Sequence, residues 1–223
     1  MTTPVVMSWS GGKESSVALH LQQQSPEWDV SHLLTTVTRD YDRISMHGVR
    51  AELLEAQAAA LGLPVDRVEI GIGASNESYE AAMRAAIDRA RVKGIETFAF
   101  GDLFLEDIRA YREAMLAPLG LRAIFPVWGR DTRQFAEDFI AAGFRAVLVC
   151  IDPAVLDASF AGRLYDADLL ADLPPGVDPC GENGEFHTFV FDGPNFSAPI
   201  EIEIGERVIR DGFAFCDLIP PRV

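Results

Sequence analysis

One arrangement near the N-terminus constrains this chain more than any other. A short apolar run, Pro4-Val5-Val6-Met7, leads into Ser10-Gly11-Gly12-Lys13-Glu14-Ser15, and a helical pattern follows over residues 13–24. Strand, glycine turn and helix start form the opening of a βα unit that binds phosphate. The first backbone N–H groups of a helix have no partner within it, and the helix dipole adds partial positive charge there. Paired glycines let the backbone approach an anion with no Cβ in the way. Lys13 supplies a full charge, and Ser10, Ser15 and Ser16 supply hydroxyls. The plainer alternative is a glycine-rich turn with an incidental lysine; the strand before it and the helix after it argue against that.

The loop is not a Walker A sequence, which needs an earlier glycine and a Ser or Thr directly after the lysine. Met7 holds the first position here and Glu14 the last. The stretch resembles the SGGKDS signature of the PP-loop ATP pyrophosphatases, with Glu14 in place of Asp. That resemblance implies a parallel sheet of the adenine-nucleotide alpha-hydrolase, Rossmann-like type. It also implies cleavage of ATP between the α and β phosphates, with pyrophosphate held by residues 8–16. Glu14 keeps the carboxylate and lengthens its reach by one methylene.

The 223 residues suit one large domain, or one domain with a smaller appendage. No apolar stretch is long enough for a membrane span, and residues 1–4 do not resemble a signal peptide. Cys150, Cys180 and Cys216 are too widely spaced for a disulfide framework or a CxxC zinc pattern, so they read as buried small apolar residues. A cytoplasmic location follows as the expectation. The formal net charge of −15 disfavours a nucleic-acid partner, because such binding draws on Lys and Arg. A tRNA-modifying PP-loop enzyme is demoted on that ground and for want of a close cysteine pair.

The N-terminal part alternates strand and helix. Strands are expected at 30–37, 65–70, 97–100, near 123–125 and at 146–151; helices at 48–61, 76–93, around 107–116 and at 132–142. Val49, Leu53, Ala56 and Ala60 share one helical face, as do Tyr79, Met83, Ile87 and Ala90. Such alternation implies α/β architecture with a parallel sheet and right-handed crossovers. The continuous apolar run 146–151 suits such a sheet, covered on both faces. Ligands bind outside the carboxyl ends of the strands. That rule gathers Ser8–Ser16, Thr36 with its neighbours, and Gly101-Asp102 on one edge. After Asp152-Pro153 the character changes, and short helices are expected near 156–164 and 167–173. Period-two alternation and the Asp211-Gly212 turn give antiparallel strands at 186–191, 199–210 and 213–218. The division expected is residues 1–151 for the nucleotide and 152–223, a smaller α+β part, for an acceptor.

The second dense cluster is Cys180-Gly181-Glu182-Asn183-Gly184-Glu185-Phe186-His187-Thr188. Two glycines let the chain fold tightly and crowd Glu182, Asn183, Glu185, His187 and Thr188 together. Glu185, His187 and Asp192 suit a hard cation such as Mg²⁺ or the orienting of a nucleophile; a polar turn at the start of a strand is the alternative. The run 180–196 resembles the CGEGGEYET…D-P…F signature of the diphthine–ammonia ligase family of PP-loop proteins. SGGKES, Met46-His47-Gly48, Gly101-Asp102 and residues 124–131 follow that family's order along essentially the whole chain. Asn183 and His187 depart from the eukaryotic pattern of Gly and Glu and resemble the bacterial branch. Bacteria are not known to carry diphthamide, so the family's named substrate does not simply transfer.

The resemblance implies an ATP-dependent, AMP-forming amide ligase that adenylates a carboxylate and then admits ammonia or another amine. Lys13 and Mg²⁺ would stabilise the departing pyrophosphate, and Ser8, Ser10, Gly11, Gly12, Ser15, Ser16, Thr36 and Asp102 would hold the nucleotide. Adenine would sit near residues 35–37, read by strand-end backbone groups. Asp102 and Glu185 are the metal candidates; Asp102 serves equally as a ribose contact or a helix cap. Glu182, Glu185 and His187 would orient or deprotonate the amine, with His47, Asn183 and Thr188 near the acceptor. The acceptor is a small-molecule or protein carboxylate, and a homodimer is an open expectation. A nucleotide-binding module without chemistry is the second reading.

Overall fold

The computed structural model describes residues 2–221. Its centre is β1 (Thr3–Ser8), whose Val5, Val6 and Met7 are fully buried. Period-two alternation sends Val5 and Met7 to one face of the sheet and Val6 to the other. Each face is covered by helices. α1 (Lys13–Gln24) and α2 (Ala51–Leu61) carry Leu19, Leu53 and Leu54 against one side. α3 (Asn76–Val92) and α4 (Glu106–Leu116) carry Met83, Ile87 and Leu116 against the other.

Five strands of this first sheet run parallel. β2 (Trp28–Thr38) lies on one edge of β1, with β4 (Val65–Ile70) beyond it. The chain then returns to the other edge of β1 and lays down β5 (Thr97–Ala99) and β6 (Arg122–Ile124). The reversal makes a topological switch point between β1 and β5, where a crevice opens at the carboxyl ends of both strands. A two-residue strand, β3 (Arg43–Ile44), was not expected. It pairs antiparallel with Val37 and Thr38 of β2, on the edge that β1 leaves free after Ser8. Two residues carry no period, so no pattern announces them. The helix expected from residue 48 starts only at Ala51, because Gly48 is left-handed and Arg50 extended.

The C-terminal part forms a second, four-stranded sheet in which all neighbours are antiparallel. Its order is β8 (Phe186–Asp192), β7 (Arg145–Ile151), β10 (Phe213–Ile219), β9 (Glu203–Arg210). This corrects the placement of 146–151 in the parallel sheet. A continuous apolar run reports burial on both faces, not the direction of the neighbours. Residues 199–202 also fall outside the strand expected there: β9 starts at Glu203. Between β6 and β7, α5 (Thr132–Ala141) starts at Asp131, whose carboxylate accepts the Gln134 N–H at 2.9 Å. The stretch 156–164 holds a single 3₁₀ turn, Ala158–Phe160, and α6 spans Ala167–Asp172.

The glycine loop is the seam between the two sheets. Val190 of β8 donates its N–H to the Gly11 carbonyl at 2.9 Å, and the Lys13 N–H donates to Thr188 Oγ1 at 3.2 Å. Gln57 of α2 is fully buried and completes the seam. Its Nε2 donates to the Gly11 and Val190 carbonyls at 3.0 and 2.7 Å, and its Oε1 accepts from Trp9 Nε1 at 3.0 Å. Gln57→Leu strands these buried groups and should cost about 3 kcal/mol. A lower urea midpoint with an unchanged m value is the expected result.

Candidate active site

At the switch point lies a cleft of about 540 Å³. Ser8, Trp9, Ser10 and Ser15 of the β1–α1 connection line it, with Glu14 beside them. Gly101 and Asp102 enter from the end of β5, and Thr36 from β2. Glu182 and His187 arrive from the second sheet. Leu34, Ile70, Tyr79, Met83 and Phe100 form an apolar arm. Gly12 precedes α1 with no side-chain cap. Ser10 Oγ accepts the Gly12 N–H at 3.2 Å and lies 3.1 Å from Ser15 Oγ.

Of the residues singled out from sequence, Ser8, Ser10, Ser15, Thr36, His47, Asp102, Glu182 and His187 meet in this cleft. Others do not face it. Ser16 Oγ donates to the Gly12 carbonyl at 2.9 Å, and Thr188 Oγ1 is occupied by the Lys13 N–H. The Thr36 carbonyl, offered as a reader of adenine, accepts the Ser45 N–H at 3.0 Å. The unexpected β3 consumes that backbone edge, so Thr36 meets the cleft without a free carbonyl.

Lys13 turns inward. Its side chain is 2 % exposed and lies outside the cleft lining. Nζ donates to the Cys180 carbonyl and sits 2.6 Å from Glu14 Oε1. The Tyr165 and Phe186 rings flank it, with centroids at 5.4 and 5.0 Å. Burial opposes its charge, but Glu14 holds the ammonium above its usual range. The lysine therefore couples the glycine loop to the 180–188 turn, and only its paired carboxylate reaches the cleft.

Glu185 is equally internal. It is 3 % exposed, and its carboxylate accepts from Asp178 N, Asn183 N and Asn183 Nδ2 at 3.1, 2.9 and 3.0 Å. It shapes the turn and is not offered to a ligand in the cleft, and Asn183 is spent on the same bonds. Asp178 adds to the turn by accepting from Cys180 N at 2.8 Å and Thr132 Oγ1 at 2.6 Å. The result presents Glu182, whose Oε2 accepts the Leu103 N–H at 3.3 Å. Among the described residues no group of three or more His, Cys, Asp or Glu forms a metal-ligand set.

The electrostatics of the cleft follow from burial. Desolvation and the nearby Glu14 carboxylate raise Glu182, and desolvation also raises Asp102. Asp102 Oδ2 and Arg112 Nε, 3.8 Å apart, are both buried and find no hydrogen-bond partner among the described residues. Arg112 packs on Phe100, 5.1 Å from the ring centroid. His47 and His187 stack with centroids 4.6 Å apart. A Cβ on Gly12 would come within 3.3 Å of His47 Nε2, so the pair lies directly over the loop. Burial, aided by Lys13, lowers His187 to about 4; burial and the neighbouring His187 lower His47 well below the usual imidazole range. Both shifts favour the neutral imidazole at pH 7.

Sequence reasoning missed Arg112, Tyr79 as a cleft residue, and Phe100. Arg112 lies on α4, ten residues after Asp102 in the loop before that helix, and the path of that loop brings the two together.

Two outcomes test this reading. Lys13→Met leaves Glu14 and the Cys180 carbonyl without their cation and should destabilise the fold by about 3 kcal/mol in guanidinium titration. The histidines set a pH slope. Their folded pKa values lie below the unfolded 6.5, so their neutral burial costs nothing above that pH. Stability is lost as pH falls from about 6.5 toward 4, by at most ~1.4 kcal/mol per unit for each ring. His187→Asn should flatten this slope between pH 6.5 and 4 when the unfolding free energy is measured against pH.

Comparison with known proteins agrees with this architecture. Residues 3–123 match the diphthamide synthase N-terminal domain and residues 131–219 the diphthamide synthase C-terminal domain. The zebrafish (Danio rerio) diphthine–ammonia ligase is 27% identical over 92% of this chain and 89% of its own length. The rat (Rattus norvegicus) protein of that name is 27% identical over 54% of this chain and 47% of its own. The fission yeast (Schizosaccharomyces pombe) one is 22% identical over 80% and 32%. A chain whose two halves match both domains in order, and whose two sheets meet at the motifs those matches span, belongs to the diphthamide synthase family.

Proposed function

We propose that this chain is an ATP-dependent, AMP-forming amide ligase that adenylates a carboxylate and then couples it to ammonia. One observation carries the proposal. The phosphate-type loop at Ser8–Ser15 shares a single cleft with Glu182 and His187, which lie at the other end of the sequence. A nucleotide-binding module has no use for a raised carboxyl and two neutral imidazoles over its phosphate loop. The name of the relatives, diphthine–ammonia ligase, supports ammonia as the second substrate. Their diphthine does not carry over to this chain, because no residue of the cleft identifies that acceptor.

In this reading the apolar arm receives adenine against Tyr79, Met83 and Phe100. A ribose hydroxyl bridges the unpartnered Asp102 Oδ2 and Arg112 Nε, donating to one and accepting from the other. The α1 N-terminus with Ser10 and Ser15 holds the β and γ phosphates. Mg²⁺ is bound through few carboxylates plus phosphates, and Asp102 would be its protein ligand; the ion would neutralise charge on the pyrophosphate. A carboxylate oxygen attacks the α-phosphorus and the bond to pyrophosphate breaks. Ammonia nitrogen then attacks the acyl carbon, and AMP departs. The nitrogen's surplus proton passes to Glu182, whose raised carboxyl exchanges protons nearer neutrality than an ordinary glutamate. His187, held neutral, accepts a hydrogen bond from the incoming amine. Lys13 and Glu185 act through the loops they hold.

The test is product analysis with a panel of carboxylates and ammonium. AMP and pyrophosphate in equal amounts, with amide formed, are expected, and Glu182→Gln should slow amide formation by about 10²-fold. ADP and phosphate as products would sink the proposal.

A further inference from the structure

We propose that Asp217, which lies outside the cleft on β10, is a positioning residue that sets the place of His47. The segment from Arg43 to Arg50 is a closed hairpin. Ile44 N–H donates to the Val49 carbonyl at 2.7 Å, and Gly48 N–H to the Ile44 carbonyl at 2.9 Å. Arg43 and Arg50 face each other at its base in a lone antiparallel bridge. Its tip puts Ser45, Met46 and His47 into the cleft. Met46 and Gly48 are both left-handed, with φ of 64° and 70°. Such a tip holds its shape only when its base is held.

Asp217 provides that hold. Its Oδ1 accepts from Arg43 Nη1 at 2.7 Å and Arg50 Nε at 3.1 Å, and its Oδ2 from Arg50 Nη2 at 2.7 Å. Arg50 thus binds it bidentately, the strongest form of such a pair. Arg43 Nη1 also donates to the Gly48 carbonyl at 2.7 Å, passing the constraint to the residue after His47. Packing reinforces it: a Cβ on Gly48 would meet the Phe215 ring at 2.6 Å, so β10 lies flush against the hairpin. Arg210 of β9 covers Tyr41 just before the hairpin, 4.3 Å from the ring centroid. The second sheet therefore reaches the cleft by two routes. The 180–188 turn supplies Glu182 and His187, and the β9–β10 pair fixes the hairpin that stacks His47 on His187.

The proposal rests on the ligase reading only for its nucleotide arm. The experiment compares wild type, Asp217→Asn and a control, Asp66→Asn, which breaks the Arg89–Asp66 pair between α3 and β4. NMR follows the His47 imidazole and Met46 methyl signals, with His47→Gln used for assignment, and calorimetry measures ATP binding. Asp217→Asn should shift and broaden both signals and weaken ATP binding about tenfold, the worth of roughly one cleft hydrogen bond; Asp66→Asn should do neither. Folded Asp217→Asn with both signals at their wild-type positions overturns the clamp. Absence of ATP binding to wild type overturns the ligase reading instead, while the NMR arm still decides the clamp. Should Asp217→Asn fail to fold, Arg43→Lys and Arg50→Lys keep the charge but lose part of the hydrogen bonding; unmoved signals in both overturn it equally.

Discussion

The buried ion pair of Lys13 with Glu14 is the interaction on which the rest of the site depends. A lysine ammonium enclosed by Tyr165 and Phe186 is tolerable only with a carboxylate and a carbonyl at hand. Those partners come from different parts of the chain: Glu14 from the glycine loop and the Cys180 carbonyl from the distant turn. The ammonium therefore sets their separation. With it come the placement of Glu182 at the cleft and the docking of β8 along Gly11. The charge that the sequence offers to phosphate also joins the two sheets in the folded protein.

The same joint accounts for the cleft's electrostatics. Glu14, Asp102 and Glu182 share a small, partly dry volume, and two imidazoles are kept neutral above them. A cleft charged in this way favours cations and proton acceptance more than the capture of a free anion. Phosphates must then rely on the helix N-terminus, serine hydroxyls and a counter-ion. The apolar arm and Arg112 balance this on the side facing α3 and α4.

Much of the fold was legible because its signals are local. β4 follows from its apolar run, and α2 and α3 from helical periodicity closed by Gly62 and Gly94. β3 was not legible, since two residues have no period, and the neighbours of β7 were not, since burial on both faces looks alike in either sheet type. At the site, residues beside glycine turns were readable as polar clusters, and their order along the chain identified the family. Which of them face the cleft was not readable. Glu182 and Glu185 differ by three positions in one loop, yet one is presented and the other is consumed by Asp178 and Asn183.

By itself, the sequence determined the βα start, the two motifs and the family, because each rests on neighbouring residues and spacing. The tertiary structure alone decided that Lys13 turns inward, that Arg112 meets Asp102, that His47 stacks on His187, and that Asp217 braces the hairpin bearing His47. Except for Asp102 and Arg112, which are ten residues apart, these contacts join segments far apart in the chain. Their geometry is set by how two sheets pack, and no local pattern records it.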